Sequence, residues 1–283
     1  MILVTGATGK IGSEVVRLLR ARGAAVRALV RNPDKAKGWQ GVEIAVGDFD
    51  DRESIDAAMK DVRALFLLSN ANPKQEGALI EAAQRARVKK VVKVSSLGAS
   101  PDSPVTLARG HAAVEAQLQA SGMAWTLLRP GMFAQNFLGF APSIRATGSF
   151  SGSYGTGRVA PIDVRDIAEV AALALTHEGH EGKTYALTGP AAIDHAEAAA
   201  SISAALGKPV RYVDQPVEVT RAALTERMGP VGAPAWLIED LLGMQAFTAQ
   251  GKGATVTHDF EQVTGHPART FDDFARDHAD AFR

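Results

Sequence analysis

Three glycines near the start of the chain have the spacing of a turn that binds phosphate. Gly6, Gly9 and Gly12 follow an apolar run at residues 2–4 and precede apolar side chains at helical spacing over residues 11–19. Gly6 permits a tight turn, Gly9 lets a pyrophosphate approach the main chain, and Gly12 lets a helix pack closely on the strand. Unpaired amides at the helix start then face the phosphates. The pattern predicts a dinucleotide site, and an ordinary glycine turn between a strand and a helix is the alternative.

The residue after the second strand predicts which dinucleotide binds. A strand at residues 25–30 ends at Arg31, where an NAD site usually places a carboxylate for the ribose 2′-hydroxyl. A guanidinium can instead form a bidentate ion pair with a 2′-phosphate, and Lys35 or Lys10 can add positive charge. We therefore expect NADP(H) in preference to NAD(H). The alternative is that Arg31 is a solvated turn residue.

Two residues after the third strand are candidates for binding the adenine. The strand at residues 42–46 is followed by Asp48, which can accept from the adenine amino group, and by Phe49, which can lie against the ring. The alternative is that Asp48 caps a helix and Phe49 belongs to the core.

The fourth strand, at residues 64–68, ends in a further candidate cofactor contact. Leu68 closes the strand, and Ser69 begins a loop at residues 69–73 that we expect beside the ribose and diphosphate. A helix and a strand at residues 91–96 follow. This alternation of strands and helices predicts an α/β fold, a Rossmann-type doubly wound parallel sheet with right-handed crossovers.

The composition excludes several classes of function. The 283 residues contain no cysteine, which excludes structural disulfides, thiolate metal sites and a cysteine nucleophile. The 31 basic and 31 acidic side chains balance, so the charge indicates no nucleic-acid or membrane-surface partner. No apolar run approaches membrane-spanning length, and the seven histidines have no metal-ligand spacing. Because the first strand begins at once and leaves no room for a signal peptide, we expect a cytoplasmic protein without a metal.

Motifs along nearly the whole chain resemble those of one superfamily. They are residues 5–12, 94–96, 128–133, 136–137, 161–168, 184–189 and 270–274. Together they resemble the atypical short-chain dehydrogenase/reductase superfamily, and within it the NmrA-like group that includes type 2 quinone oxidoreductases and triphenylmethane reductase. The resemblance implies a Rossmann-type NAD(P)-binding fold. Its glycine turn would supply the cofactor contacts Gly6, Thr8, Gly9, Lys10, Ile11 and Gly12.

The same resemblance places a later segment beside the nicotinamide. A strand at residues 125–129 leads into Pro130, Gly131, Met132 and Phe133. Pro130 and Gly131 turn the backbone so that its amides can meet the carboxamide, while the next two side chains supply apolar walls for a flat acceptor. Further candidate substrate contacts are Asn136, Phe137 and Trp236. Ordinary core packing is the alternative for the apolar members of this set.

A catalytic pair typical of the superfamily is missing. Most short-chain reductases carry Tyr-x-x-x-Lys on the helix after the fifth strand, where the lysine lowers the pKa of the tyrosine so that the phenol donates a proton. The corresponding positions here hold Leu107 and His111, and no lysine lies between Lys93 and Lys183. The absence argues against the isoflavone-reductase-like branch and is compatible with the NmrA-like group.

His111 is the candidate for orienting the substrate or donating a proton. Glu115 lies four residues later, so on a helix the two side chains share a face and the carboxylate can orient the imidazole. We expect the hydroxyls of Ser95 and Ser96 to support this role. The alternative is that the helix presents a polar stripe to solvent.

The missing tyrosine favours particular acceptors. A ketone that accepts hydride becomes a strongly basic alkoxide and needs a nearby acid. A quinone becomes a delocalised anion and a cationic dye loses its charge, so placement beside the nicotinamide can supply most of the acceleration. We therefore expect an NADPH-dependent reductase of a small conjugated acceptor, without flavin, acting as a monomer or homodimer. The alternative is an NADP(H)-sensing regulator that docks on a partner protein.

The chain changes character after residue 189. We predict an NAD(P)-binding domain at residues 1–189 and a smaller, mostly helical lobe at residues 190–283 that packs over the sheet and takes the substrate. The predicted helices of this lobe are at residues 194–206, 218–228 and 235–247. Before the boundary, residues 148–157 are predicted to form a mobile glycine-rich loop and residues 159–162 to return to the sheet.

Overall fold

The structure is a computed structural model that describes residues 1–69 and 72–283. In chain order, the strands of these residues are β1 (Ile2–Val4), β2 (Val26–Val30), β3 (Val42–Val46), β4 (Ala64–Leu67), β5 (Lys90–Val94), β6 (Ala124–Pro130), β7 (Ser149–Gly152), β8 (Lys183–Leu187) and β9 (Arg211–Asp214). Seven of them form one parallel sheet in the order β3-β2-β1-β4-β5-β6-β8, and β7 pairs with β9.

The α-helices lie between the strands and after β9. In chain order they are α1 (Lys10–Ala21), α2 (Arg52–Ala58), α3 (Pro73–Arg85), α4 (Thr106–Gln119), α5 (Ala141–Thr147), α6 (Val164–Thr176), α7 (His195–Leu206), α8 (Val217–Met228), α9 (Ala235–Ala249), α10 (Asp259–Thr264), α11 (Phe271–Asp277) and α12 (Ala279–Phe282). Where side chains cap these helices, the sequence explains the start: Asp194, for example, forms a capping box with Glu197 at the beginning of α7.

The strand order confirms the predicted Rossmann-type doubly wound sheet. Every residue of β2 and of β4 is buried, as a parallel sheet covered on both faces requires. The order runs outward in both directions from β1 and β4, so the direction of winding reverses between these two strands. In open α/β sheets the ligand binds beyond the carboxyl ends of the strands at such a reversal.

The chain forms two compact units. Unit 1 contains Met1–Asp102, Ala108–Pro130 and Val164–Leu187, and therefore the whole seven-stranded sheet. One large cluster of its buried side chains lies under α2 and α3 and includes Leu65 and Val91. The boundary predicted at residue 189 stays a prediction.

Unit 2 contains Ser103–Leu107, Gly131–Asp163 and Thr188–Arg283. It is mostly helical, and its one pair of described strands is β7 with β9. Its core is rich in aromatic rings, with Phe137 and Phe150 almost fully buried.

Two predictions for residues 148–162 are wrong. The glycine-rich loop contains β7, because Phe150 alternates with smaller residues and is buried against the core of unit 2. Residues 159–162 do not return to the main sheet; within the described residues Val159 forms an isolated bridge with Ile193 and Ile162 one with Phe133. A short apolar run predicts burial but not the element that buries it.

A helix that crosses a membrane needs about 20 predominantly apolar residues. Within the described residues, no helix is long and apolar enough to cross a membrane.

Candidate functional site

The turn after β1 requires its glycines. Gly6 has a φ of +60°, and a Cβ atom there would lie 3.0 Å from the carbonyl oxygen of Leu68. A Cβ atom at Gly12 would lie 2.1 Å from the carbonyl oxygen of Gly6, so glycine alone lets α1 start this close to the turn. The hydroxyl of Thr5 accepts from the amide of Leu68 at 2.9 Å and thereby ties the turn to the end of β4.

The first turn of α1 is open to an anion. Its N-cap residue, Gly9, offers no side-chain cap, and no acidic residue lies in the first turn. Thr8, Gly9 and Lys10 are exposed, whereas Ile11 is buried in the core. Since uncapped amides at a helix start carry partial positive charge, this turn fits a pyrophosphate group.

Arg31 follows β2 directly, and it is exposed, as is Lys35. Asn32 shapes the turn between them, because its side chain accepts from the amide of Asp34 at 2.9 Å. Among the described residues, Lys37 binds Asp34 at 2.8 Å, whereas Arg31 and Lys35 are in no ion pair. Two cations without an acidic partner fit a 2′-phosphate.

Asp48 and Phe49, after β3, have different surroundings. Asp51, not Asp48, caps α2 by accepting amide hydrogens of its first turn. Asp48 is exposed and accepts from the amide of Asp50 at 3.0 Å. Phe49 is half-buried and packs against the core of unit 1. Asp48 is thus accessible to a ligand, and Phe49 contributes to the core.

Leu68 and Ser69 follow β4 at half-buried positions. The hydroxyl of Ser69 donates to Glu76 Oε1 at 2.9 Å. The predicted loop at residues 69–73 includes Asn70 and Ala71, which lie outside the described residues. Ser69 is therefore linked to a buried carboxylate at the carboxyl end of β4.

A lysine that the sequence analysis did not assign is fully buried in unit 1. Lys93, on β5, is 0% exposed. Its ammonium group donates to the carbonyl oxygen of Val94 at 3.0 Å and to His111 Nδ1 at 3.2 Å, and it binds Glu76 Oε2 at 3.0 Å. Glu76, on α3, is 1% exposed. Charges so deeply buried are kept only when they are paired and hydrogen-bonded, so we regard this cluster as a functional candidate.

The amino-acid sequence already indicates that Lys93 is a buried charge. Among the last four residues of β5, Lys93 is the one charged side chain, and the other three residues are valines. β5 is an interior strand of the parallel sheet, between β4 and β6. A charge in such a strand must have a buried partner. Sequence pattern does not say which residue the partner is.

The ring of His111, on α4, is held by Lys93. Because an ammonium group can only donate, Nδ1 accepts, and the neutral ring carries its hydrogen on Nε2. Desolvation, with a smaller contribution from the charge of Lys93, lowers the pKa of His111 to about 3. Near neutral pH the half-buried ring is therefore a neutral Nε2–H donor and not an imidazolium acid.

Glu115 has other partners than the predicted one. Arg129 Nε donates to Glu115 Oε1 at 2.9 Å, a second guanidinium nitrogen binds Oε2, and the hydroxyl of Ser95 donates to Oε1. The expectation that Glu115 orients His111 is thus corrected: the two share a helix, but Lys93 is the ring's partner. The hydroxyl of Ser95 is committed to Glu115.

The other predicted hydroxyl and the predicted nicotinamide segment are accessible in part. Ser96 is half-buried. Pro130 ends β6, and Gly131, Met132 and Phe133 are half-buried. The carbonyl oxygen of Met132 accepts from the amide of residue 162 at 2.9 Å, which holds the backbone of this segment in unit 2. Part of each side chain stays available for a ligand.

The three candidate substrate contacts differ in burial. Phe137 is 1% exposed, and its ring packs edge-on against Phe271 at 4.7 Å between centroids. This burial favours the core interpretation of Phe137. Asn136 is exposed, and Trp236, on α9, is 46% exposed. Both side chains are therefore accessible to a ligand.

Known proteins resemble this chain over almost its whole length. The sequence profile of the family described as NAD(P)H-binding matches residues 6–178. An NAD(P)H azoreductase of Xenophilus azovorans is 44% identical over 100% of this chain and 99% of its own length. A (4-alkanoyl-5-oxo-2,5-dihydrofuran-3-yl)methyl phosphate reductase of Streptomyces griseus is 39% identical over 100% and 99%.

Two solved structures with sequence identities of 32% and 27% have the same fold. The NADPH complex of a quinone oxidoreductase from Escherichia coli superimposes with a TM-score of 0.84 at 32% identity, covering 97% of this chain and 98% of the other. The NADP(H) complex of the triphenylmethane reductase from Citrobacter sp. gives 0.84 at 27% identity, covering 99% and 100%.

These likenesses agree with the geometry of the glycine turn and confirm the resemblance found in the sequence. The profile covers more than half of the chain, and the 44% identity to the azoreductase extends over the whole of it. The chain belongs to the NAD(P)H-binding family, and its relatives include the azoreductase and the quinone oxidoreductase.

Proposed function

We propose that the chain is an NADPH-dependent reductase that passes hydride directly to a small conjugated acceptor. The observation that carries the proposal is its likeness, over almost the full length, to relatives named as reductases. Their names describe an azo group, an acylated unsaturated lactone, a quinone and a triphenylmethane dye. Each of these is an electrophile within a conjugated system, and we assign that class of acceptor to this chain.

The tyrosines support a mechanism without a phenol as proton donor. Burial raises the pKa of Tyr154 to about 12, and it raises the pKa of Tyr212 as well. Neither therefore resembles the tyrosine of a Tyr-x-x-x-Lys pair, whose pKa is lowered. The hydroxyl of Tyr185 is within 2.8 Å of His180 Nδ1. An acceptor whose reduced form is a delocalised anion or a neutral molecule needs no such donor.

The residues of this chain have separate tasks in the proposed reaction. Bound NADPH supplies the hydride. We assign its diphosphate to the glycine turn, its 2′-phosphate to Arg31 with Lys35, and its nicotinamide to residues 130–133. His111 orients the acceptor through Nε2–H. Residues 190–283 are proposed as the substrate lobe.

Turnover is the test of the reductase proposal. The loss of NADPH absorbance is measured with purified protein and a simple quinone, an azo dye or a triphenylmethane dye, with a reaction lacking acceptor as the control. We expect turnover with at least one acceptor, faster with NADPH than with NADH. Tight NADPH binding without turnover on any acceptor would overturn the proposal and favour an NADP(H)-sensing regulator.

Arg31→Ala tests the cofactor preference. A hydrogen bond to a charged group contributes about 1.5–3 kcal/mol, so we expect NADPH to bind roughly ten- to a hundredfold more weakly and NADH to bind as before. Lys37→Ala is the matched control, because it removes a cation of the same segment that is already paired with Asp34. Equal losses for NADPH and NADH, measured by titration, would exclude Arg31 from the 2′-phosphate site.

A further inference from the structure

The ammonium group of Lys93 has no hydrogen-bonding capacity left over. It has three donors, and three acceptors surround it: Val94 O, Glu76 Oε2 and His111 Nδ1, all within 3.2 Å. The side chain is fully buried, so water does not compete for these positions. A lysine in this state fixes the orientation of each group that accepts from it.

For the imidazole of His111, this arrangement selects one of two tautomers. The Nδ1 lone pair is engaged by Lys93, so the hydrogen is on Nε2. The ring then presents the positive end of an N–H dipole, with the ammonium charge behind it. Such a group stabilises negative charge that develops opposite Nε2 and does nothing for a positive charge that disappears.

Glu76 keeps the lysine in place. Its second carboxylate oxygen accepts from the hydroxyl of Ser69 at 2.9 Å, so both oxygens have partners. The cluster therefore joins four segments of unit 1: the end of β4, α3, β5 and α4. Buried pairs with complete hydrogen bonding hold their geometry firmly.

We infer that Lys93 is a positioning residue that sets His111 as a hydrogen-bond donor, and that the site therefore favours neutral acceptors that become anionic over cationic dyes. This inference rests on the proposed function. In the step concerned, the acceptor gains a hydride from bound NADPH, which is oxidised to NADP⁺. The electron pair leaves negative charge on an acceptor oxygen, this oxygen accepts the Nε2–H bond, and it then takes a proton from water.

The activity test compares two acceptors in one variant. Lys93→Met with Glu76→Gln removes the donor without leaving a buried carboxylate unpaired. Removing an oxyanion donor costs about a hundredfold or more, and a donor that is only released from its position should cost less. We expect kcat/KM to fall about tenfold for a neutral quinone and to change less than twofold for a cationic triphenylmethane dye.

Lys90→Met is the matched control. Lys90 is on the same strand and forms an ion pair with Glu181 at 2.7 Å, but it has no contact with His111. We expect any loss in this variant to be equal for quinone and dye. Equal losses in the Lys93→Met/Glu76→Gln protein would overturn the inference and leave Lys93 a structural residue.

A second measurement needs no turnover. Long-range ¹⁵N–¹H correlation spectra, with His111→Gln to assign the signal, report which ring nitrogen carries hydrogen. We expect Nε2–H in the wild type and a mixture of tautomers in the Lys93→Met/Glu76→Gln protein. An Nδ1–H ring in the wild type would overturn the inference. If the wild type reduced no acceptor, the proposed function would fail and the spectra would still decide whether Lys93 sets the tautomer.

Discussion

Unit 1 contains the half-buried His111 and unit 2 the buried His195, and the two rings are held in different ways. In unit 1, His111 accepts from the fully buried ammonium group of Lys93. In unit 2, His195 is 1% exposed and stacks on Tyr154 with ring centroids 3.7 Å apart. Its Nδ1 has no hydrogen-bond partner among the described residues. One ring has a charged donor, and the other has aromatic neighbours.

Both histidine rings are desolvated, but only the ring of His111 is positioned by a hydrogen bond from a charged group. Desolvation is the main cause of both pKa shifts, lowering the pKa of His111 to about 3 and that of His195 to about 4. Burial alone thus makes either ring neutral near pH 7. Only the hydrogen bond to Lys93 also determines which nitrogen carries the hydrogen, because stacking has no such directional demand. This difference supports the proposed role of His111 as a hydrogen-bond donor, and it favours a packing role for His195.

The largest expected effect concerns the buried ion pair. Lys93→Met leaves Glu76 buried without its cation, and breaking such a pair costs about 3–5 kcal/mol. We expect that loss in the free energy of unfolding, measured by urea titration. Adding Glu76→Gln should restore most of it, because the remaining carboxamide is neutral. A loss below about 1 kcal/mol in Lys93→Met would show that the pair is not buried as described.

Phe137→Ala tests the aromatic core of unit 2, the unit that contains His195. Truncating a buried phenylalanine costs about 3–5 kcal/mol, and we expect the lower end because neighbouring rings can partly fill the space. NADPH affinity, measured by titration, should stay within about twofold of the wild type. A large loss of NADPH affinity with an unchanged free energy of unfolding would instead indicate that Phe137 contacts the ligand.

The pH dependence of stability compares the two histidines directly. An unfolded histidine binds a proton near pH 6.5, whereas folded His195 does so only near pH 4. Between these values the unfolded state binds more protons, so stability falls as the pH falls, by about 1.4 kcal/mol per pH unit for each such group. His111 acts in the same direction, down to a pH of about 3.

Urea titrations at pH 7, 6 and 5 measure this slope. We expect the slope of stability against pH to be smaller in His195→Phe by the contribution of one titrating group, about 1.4 kcal/mol per pH unit. The reason is that the variant has no group to titrate at that position. Asp194 and Asp214 oppose the shift of His195, and their charges remain in the variant. An unchanged slope would mean that His195 is accessible to protons in the folded chain.

The smallest expected effect is that of His195→Phe at pH 7. Removing a buried polar atom without a partner is favourable, which offsets the strain of the larger ring, so stability should change by less than about 1 kcal/mol. The matched variant His111→Phe should cost more than this, because it takes an acceptor from Lys93. Equal losses in the free energy of unfolding for the two variants would contradict the claim that only His111 is held by a hydrogen bond.

Much of the fold was predictable because its signals are local. The apolar run at residues 2–4, the three glycines after it and the alternation of strands and helices depend on neighbours a few residues apart. The return of residues 159–162 to the sheet was predicted wrongly, because their apolar pattern does not distinguish the main sheet from the core of unit 2. The start of α4 was also beyond prediction: Asp240 accepts the amides of Thr106 and Leu107 from more than a hundred residues away.

The amino-acid sequence by itself determined the glycine turn, the cations that follow β2, the missing tyrosine and the family resemblance. Only the tertiary structure decided the partners of His111. Helical spacing placed Glu115 near the ring, but Arg129 and Ser95 hold that carboxylate, and Lys93 reaches the imidazole from β5. The physical reason is that hydrogen bonds are directional, so the choice among nearby partners depends on where the sheet and helices place each donor and acceptor.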